Sequence, residues 1–433
     1  MKRLILFVSL FPLLGAHAVA QDALSANQLV EEVLSNEFGI IIADKEQTIA
    51  ENNDSWGEAG ALPRVSLQGG GMYSLNNAQL DFFSGEEINV LNAEEMSYNA
   101  GLRVDYTLFN GRSMYYRKQQ FANQAQQAGY RKRLEVDAAV SDALEFYYNL
   151  VQQARYKTHL EDQLELSEER RTLARRKREI GTVGYDEVLQ AEIDYENDSV
   201  MYMNQELEIN KLKSQVNRLR TLPPETNFAP SDSITIDKLP DYNELKGMLS
   251  EHADIKLQSM RVKEATLNQH LSRAGLTPQL DAYTAYNYRH LESEAGVLAR
   301  NIAHGPEFGF QASFNLFDGN KTRRSITNSM IQEGIAEDQL EMSKADREQM
   351  LYSLYQDYQN ALRVIKLRES NLKRVKKNVE IAYEKYRTGV LNGLDFRTIQ
   401  MQENESRFSM LEAQYTAKRT EILIKELCGL LEL

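Results

Sequence analysis

The chain is short of the residues that organise many folds. Among 433 residues it has one cysteine, Cys428, so it can form neither an internal disulfide nor a cysteine-based zinc cluster. Prolines number eight, which leaves long stretches free to stay helical. Beyond the first twenty residues no apolar run is long enough to cross a bilayer as a helix, and the mean hydropathy is −0.52. Basic residues are outnumbered, 50 Lys+Arg against 63 Asp+Glu. That deficit disfavours nonspecific nucleic-acid binding, which depends on a basic surface. Enzyme signatures are missing too: there is no Gly-x-Ser-x-Gly, His-Glu-x-x-His, phosphate loop or Cys-x-x-Cys, and Gly69-Gly70-Gly71 falls inside a strand pattern. A non-enzymatic protein without a cofactor or a metal site is expected.

What is present begins with a leader. Lys2 and Arg3 precede an apolar stretch from Leu4 to Leu14, and Ala16-His17-Ala18 and Ala18-Val19-Ala20 offer small-residue cleavage sites. This is the layout of a secretory signal peptide over residues 1–20, cut before Gln21 or Val19. No cysteine lies near the cut, so the mature N-terminus is not lipidated. Loss of Lys2 and Arg3 takes the net charge from −13 to −15.

The mature chain is a duplication. Leu108-Phe109-Asn110-Gly111 recurs as Leu316-Phe317-Asp318-Gly319, 208 residues later, and the same offset carries Gly181 onto Gly389. Upstream, an offset of 215 pairs Pro63 with Pro278 and Gly60 with Gly275. The first repeat covers 21–222 and the second 241–433. Between them lies a proline-rich irregular connector, 223–240, with a short strand expected at Ile234-Thr235-Ile236.

Each repeat contains two segments that alternate with period two. Phe308, Phe310, Ala312, Phe314 and Leu316 share one face, with Gly309, Gln311, Ser313 and Asn315 on the other; Ala100, Leu102, Val104, Tyr106 and Leu108 oppose Gly101, Arg103, Asp105 and Thr107. Strands are expected over 63–75, 98–109, 278–289 and 307–317. Each is about the length that crosses a bilayer when tilted. Secretion, aromatic residues on one face and charged residues on the other favour a membrane barrel over an ordinary half-buried sheet. Four strands cannot close a barrel, and open edges are not tolerated in lipid, so the chain must oligomerise.

The remainder is helix. Tyr358, Ile365, Leu372, Val379 and Tyr386 recur every seven residues, and Val140, Leu144, Tyr147, Val151 and Ala154 form a similar seam. Long helices are expected over 111–180 and 319–388, each roughly 105 Å at 1.5 Å per residue. Glycine turns end them, and return helices follow over 185–222 and 394–430. The run Arg170-Arg171, Arg175-Arg176-Lys177-Arg178 reads as a solvated helix face or a surface for an acidic partner. His290 and His304 flank the loop between the third and fourth strands and have no metal-ligand spacing.

Taken together, the leader, the duplicated helix-strand-strand-helix unit, the Leu-Phe-Asn/Asp-Gly corners and the glycine turns followed by Asp or Glu resemble the TolC-like outer-membrane efflux protein family over the whole mature chain. The resemblance implies a mostly α fold with a membrane β-barrel portion. In it, coiled-coil helices form a trimeric α-barrel and four strands per protomer contribute to a 12-stranded barrel. It implies a homotrimer in the outer membrane of a Gram-negative bacterium, in contact with outer-membrane lipid and extending into the periplasm. Its further partners would be a periplasmic adaptor protein and an inner-membrane efflux pump or ABC transporter. Function would be passive conduction through an iris-like periplasmic gate. The hairpin tips, Gly181, Gly184, Asp186, Gly389 and Gly393, would meet the adaptor. Leu108, Phe109, Gly111, Leu316, Phe317 and Gly319 would turn strand into helix. Asp395 would ring the constriction, Thr398 stands where the family has a second acidic ring, Tyr386 takes the place of a gate-locking tyrosine and Glu187 that of its acidic partner. Leu391 occupies the position of the family's locking arginine, so that part of the lock is missing or relocated. The alternatives are an outer-membrane channel for type I protein secretion and, in a different class, a secreted periplasmic coiled-coil structural or adaptor protein, against which the four alternating segments argue.

Overall fold

A computed structural model describes residues 22–295 and 298–431; the expected signal peptide lies outside them. The element order repeats itself. A short strand β1 (Asp22–Leu24), helices α1 (Ala26–Asn36) and α2 (Phe38–Asn53), strands β2 (Arg64–Asp81) and β3 (Glu87–Asn110), and helices α3 (Ser113–Glu179) and α4 (Tyr185–Leu219) make the first half. The second half has β4 (Phe228–Pro230), α5 (Tyr242–Met248), α6 (Ala253–Ala274), β5 (Gln279–Ser293), β6 (Arg300–Ser313), α7 (Lys321–Arg387) and α8 (Gly393–Leu427). Where one helix per half is expected before the strands, each half has two, broken at Glu37 and at a short 3₁₀ turn, Leu249–Glu251.

Helices α3 and α7 are 67 residues each and α4 and α8 are 35 each, with every boundary related by the same offset of 208. Neither long helix contains proline, and each has one glycine, Gly129 or Gly334. Nothing in their backbone chemistry interrupts the i to i−4 ladder. Both start from a two-residue left-handed corner: Gly111 (φ 66°) then Arg112 (φ 67°), and Gly319 (φ 67°) then Asn320 (φ 61°).

The two halves meet at an equator. β1 and β4 pair in parallel, Asp22 opposite Phe228. This places the short strand of the connector at Phe228–Pro230 and not at Ile234–Ile236, because β1 supplies a hydrogen-bonding partner only there. Ile234 instead buries its side chain in the core around Leu29, Val33, Val140 and Leu150. The Asp232 carboxylate accepts from the Ala26 N–H (2.7 Å) and from the Tyr147 hydroxyl (2.9 Å), tying connector to helices. A second core, with Leu245, Leu351, Tyr358 and Ile424, serves the other half.

The long strands form one antiparallel sheet in the order β2-β3-β5-β6. Its register gathers Leu67, Leu102 and Tyr286 in one row, and Val65, Val104, Thr284 and Phe308 in the next. These rows share the apolar face, on which Leu67, Phe308 and Phe310 are 81%, 78% and 79% exposed. The other face is polar and internally bonded: Arg103 pairs with Asp105 (2.8 Å) and lies over the Tyr283 ring (4.1 Å), Thr107 donates to Asp281 (2.7 Å), and Tyr283 and Asn287 both donate to Glu307 (3.0 Å each). Strands β2 and β6 each leave one edge unpaired among the described residues.

Strand limits differ from the sequence expectation for identifiable reasons. β6 ends at Ser313, short of 317, although alternation continues through Leu316. Its last partner, Gln279, follows Pro278, which has no N–H to extend the ladder. β3 reaches Asn110 because β5, not β2, pairs with its end. His290 and His304 lie within β5 and β6, not beside a loop. One stacks on Tyr98 (ring centroids 4.3 Å apart) and the other bonds the Tyr286 hydroxyl (3.1 Å), so they share no site.

Candidate functional site at the hairpin tips

Helix α3 turns into α4, and α7 into α8, at the end of the molecule away from the sheet. Both turns close in the same way. Gly181 (φ 76°) lets Thr182 N–H reach the Lys177 carbonyl at 2.9 Å, and Gly389 (φ 82°) lets Val390 N–H reach the Lys385 carbonyl at 2.8 Å. These six-to-one bonds cap the last helical turn, and the left-handed residue each needs is the reason for glycine there. Gly184 then caps α4 without a side chain, while Asn392 caps α8 by accepting from the Asp395 N–H (2.8 Å) and donating to its carboxylate (2.9 Å). Asp395 is therefore a capping partner on an exposed tip. Thr398 returns its hydroxyl to the Leu394 carbonyl (3.1 Å) and offers no second carboxylate.

The two tips enclose a cleft of about 360 Å³ lined by Asp186, Glu187, Gln190, Tyr386 and Gly393, with Arg170 at its base. Tyr386 is 1% exposed, stacks on Phe396 (5.3 Å between centroids), carries the Lys177 ammonium over its ring (4.4 Å) and accepts from it through its carbonyl (2.8 Å). Its hydroxyl has no hydrogen-bond partner among the described residues. Burial, with the Glu187 charge adding to it, pushes that hydroxyl's pKa up to about 12. Tyr386 and Glu187 thus share a cleft, but no hydrogen bond joins them as a lock.

What ties the tips together lies a few turns further in, and the sequence reading missed it. Arg170 is no solvated residue: it is 2% exposed, paired with Asp194 and within 3.5 Å of the Gln400 side chain. Arg397 grips Asp198 with two bonds of 2.7 Å, and Ser167 donates to the same carboxylate. Burial, with Arg397 adjacent, holds the Arg170 pKa below its ordinary value. Two cations and two anions, from α3, α4 and α8, thus compensate one another inside the bundle. A signal existed, since Ser167 and Arg170, Asp194 and Asp198, and Arg397 and Gln400 are each spaced to share one helix face. In a chain with so many charges the spacing alone did not stand out. Two neighbours in the basic run are also engaged: Arg171 lies over Tyr195 (4.2 Å) and Arg175 pairs with Glu192 (2.6 Å).

Nearer the equator, His159 on α3 is 3% exposed, and neither ring nitrogen has a hydrogen-bond partner among the described residues. Burial, with Arg407 of α8 and Lys376 of α7 opposing a further positive charge, depresses its pKa to about 3. The unfolded segment binds a proton below about pH 6.5 and the folded one does not. Stability contributed here is therefore complete above that pH and declines as pH falls toward 3. Hydrogen-exchange protection factors across the α3–α8 seam, taken relative to the intrinsic rate at each pH, should fall between pH 6.5 and 4, and His159→Leu should remove most of that dependence. An unchanged pH profile in the variant would refute the assignment.

Comparisons with known proteins agree with this architecture. Residues 245–430 match the family described as "Outer membrane efflux protein". The outer-membrane channel OprN superposes with a TM-score of 0.77 at 17% identity, covering 93% of this chain and 89% of that one. The outer membrane protein VceC of Vibrio cholerae gives 0.76 at 14%, covering 93% and 96%. The Campylobacter jejuni CmeC outer membrane channel gives 0.75 at 14%, covering 99% and 94%. No curated protein matches the chain. The family match thus lies on the second repeat, and the fold of these channels extends over nearly the whole length of the chain.

Proposed function

We propose that three copies of the chain form the outer-membrane channel of a tripartite export system. The barrel would be set in the outer membrane of a Gram-negative bacterium and the helices would cross the periplasm toward an adaptor and an inner-membrane pump. The observation that carries this reading is the sheet: four strands with one apolar face, one bonded polar face and two open edges. Such a sheet meets the demands of lipid only when further copies supply the missing strands. In that assembly the apolar rows face lipid, the Arg103–Asp105 and Glu307 network faces the lumen, and the tips ring the entrance.

Conduction is passive, and control lies at the tips. One Asp395 per copy puts three carboxylates at the mouth, which favours cations. The Asn392 cap holds the aspartate's backbone and one of its oxygens while leaving the side chain exposed. Planar-bilayer recordings of Asp395→Asn should therefore show a reduced preference for cations with the trimer intact. Unchanged selectivity would leave Asp395 as a helix cap only.

A further inference from the structure

We infer that the flank of α7 near the tip is a docking surface for α4 of a second copy of this chain, in one definite register. The inference rests on the trimer proposed above and adds to it the seam along which the copies join. Across the tip half of one protomer the helices run in the order α4, α3, α8, α7. Within the chain, α3 packs on α8: the Tyr156 hydroxyl donates to Asn404 (3.1 Å), and Leu166 and Leu173 pack against the cluster of Tyr386 and Phe396. The heptad-spaced line His159, Leu166, Leu173 is thus covered.

The offset of 208 carries that line onto Leu367, Arg374 and Ile381 of α7, and it carries α8 onto α4. Among the described residues nothing covers the α7 line: Leu367 is 71% and Ile381 46% exposed, and Arg374 is exposed between them. On α4 the heptad-spaced residues Leu189, Glu196 and Met203 are exposed as well, the apolar pair at 42% and 65%. Run antiparallel, the two lines match. Leu367 meets Met203, Arg374 meets Glu196 and Ile381 meets Leu189 of the second copy, apolar on apolar with one opposite-charge pair between. This is the same register in which Arg170 meets Gln400 within the chain. The surrounding charges agree. From Asp186 to Glu208, α4 carries acidic residues and no basic one, whereas α7 from Arg363 to Lys377 carries Lys and Arg with a single acid, Glu369. A second copy is therefore the occupant that repeat geometry and charge both select.

Cysteine pairs in a Cys428→Ala background test the register in the full-length protein in outer membranes. Leu367→Cys with Met203→Cys should oxidise to covalent trimers, whereas Leu367→Cys with Glu196→Cys, two turns out, should not. Arg374→Glu should lower trimer yield about tenfold over three seams, and adding Glu196→Arg should restore it. Trimers that form, by mass measurement in detergent, yet cross-link only in the second pairing or respond to neither charge change would overturn the seam while leaving the trimer standing. Absence of any oligomer would overturn both.

Discussion

Arg397→Leu should loosen the tips by about 3–5 kcal/mol, the cost typical of leaving a buried charge without its partner. The Arg397 side chain is 12% exposed, and with it gone the Asp198 carboxylate keeps, among the described residues, the Ser167 hydroxyl alone. Arg170 cannot take its place, being already committed to Asp194. Because the network spans α3, α4 and α8, the loss falls on the contact between the two hairpins and spares each hairpin's own coil. Hydrogen exchange should rise sharply in the tip segments of α4 and α8 while the equatorial core stays protected. Single-channel recordings should show longer open dwell times. Asp198→Asn added to Arg397→Leu should recover most of the protection, since a neutral amide removes the stranded charge. Tip amides that exchange at the original rate in the single variant would show that the network does not hold the hairpins together.

This network also marks where sequence reasoning stopped. The repeat was legible because the same four-residue corner and the same glycine turn occur twice, and equal spacing then fixes equal helix lengths. The sheet was legible in kind, since alternation of apolar and polar residues is itself the two faces. Its ends were not. Whether Phe314 to Phe317 remain in a strand is decided by Pro278 across the ladder, and a partner's missing N–H leaves no trace in the strand that ends. Arg170 was misread for a related reason. An arginine in a basic run on a helix resembles its solvated neighbours until Asp194, on a different helix, is known to lie against it. Leu391, at the position of the family's locking arginine, has no charge with which to lock anything. Polar side chains deeper in the bundle join the hairpins instead, which family position alone would not locate.

The duplicated corners should respond unequally to the same substitution, and the inequality tests the assembly. Gly111 and Gly319 are both left-handed, at φ 66° and 67°. Alanine costs either of them about 1–2 kcal/mol in backbone conformation. At Gly111 a methyl group would also overlap the Thr277 hydroxyl and come within 2.9 Å of the Ala274 carbonyl, so the end of α6 and the start of β5 must shift. At Gly319 it meets nothing within 4 Å among the described residues. Gly111→Ala should therefore destabilise the protomer itself, with little folded protein recovered, and Thr277→Ala should relieve only part of the defect because the carbonyl remains. Gly319→Ala should yield a folded protomer. The offset of 215 carries Ala274 and Thr277 onto Ala59 and Leu62, beside the free edge of the sheet. If three copies close the ring as proposed, those residues of a second copy approach Gly319 as Thr277 approaches Gly111, and the Gly319→Ala protein should stall as folded, unassembled chains. Size measurement in detergent separates the two failures. Normal trimers from Gly319→Ala would mean that the junction between copies does not repeat the junction within one.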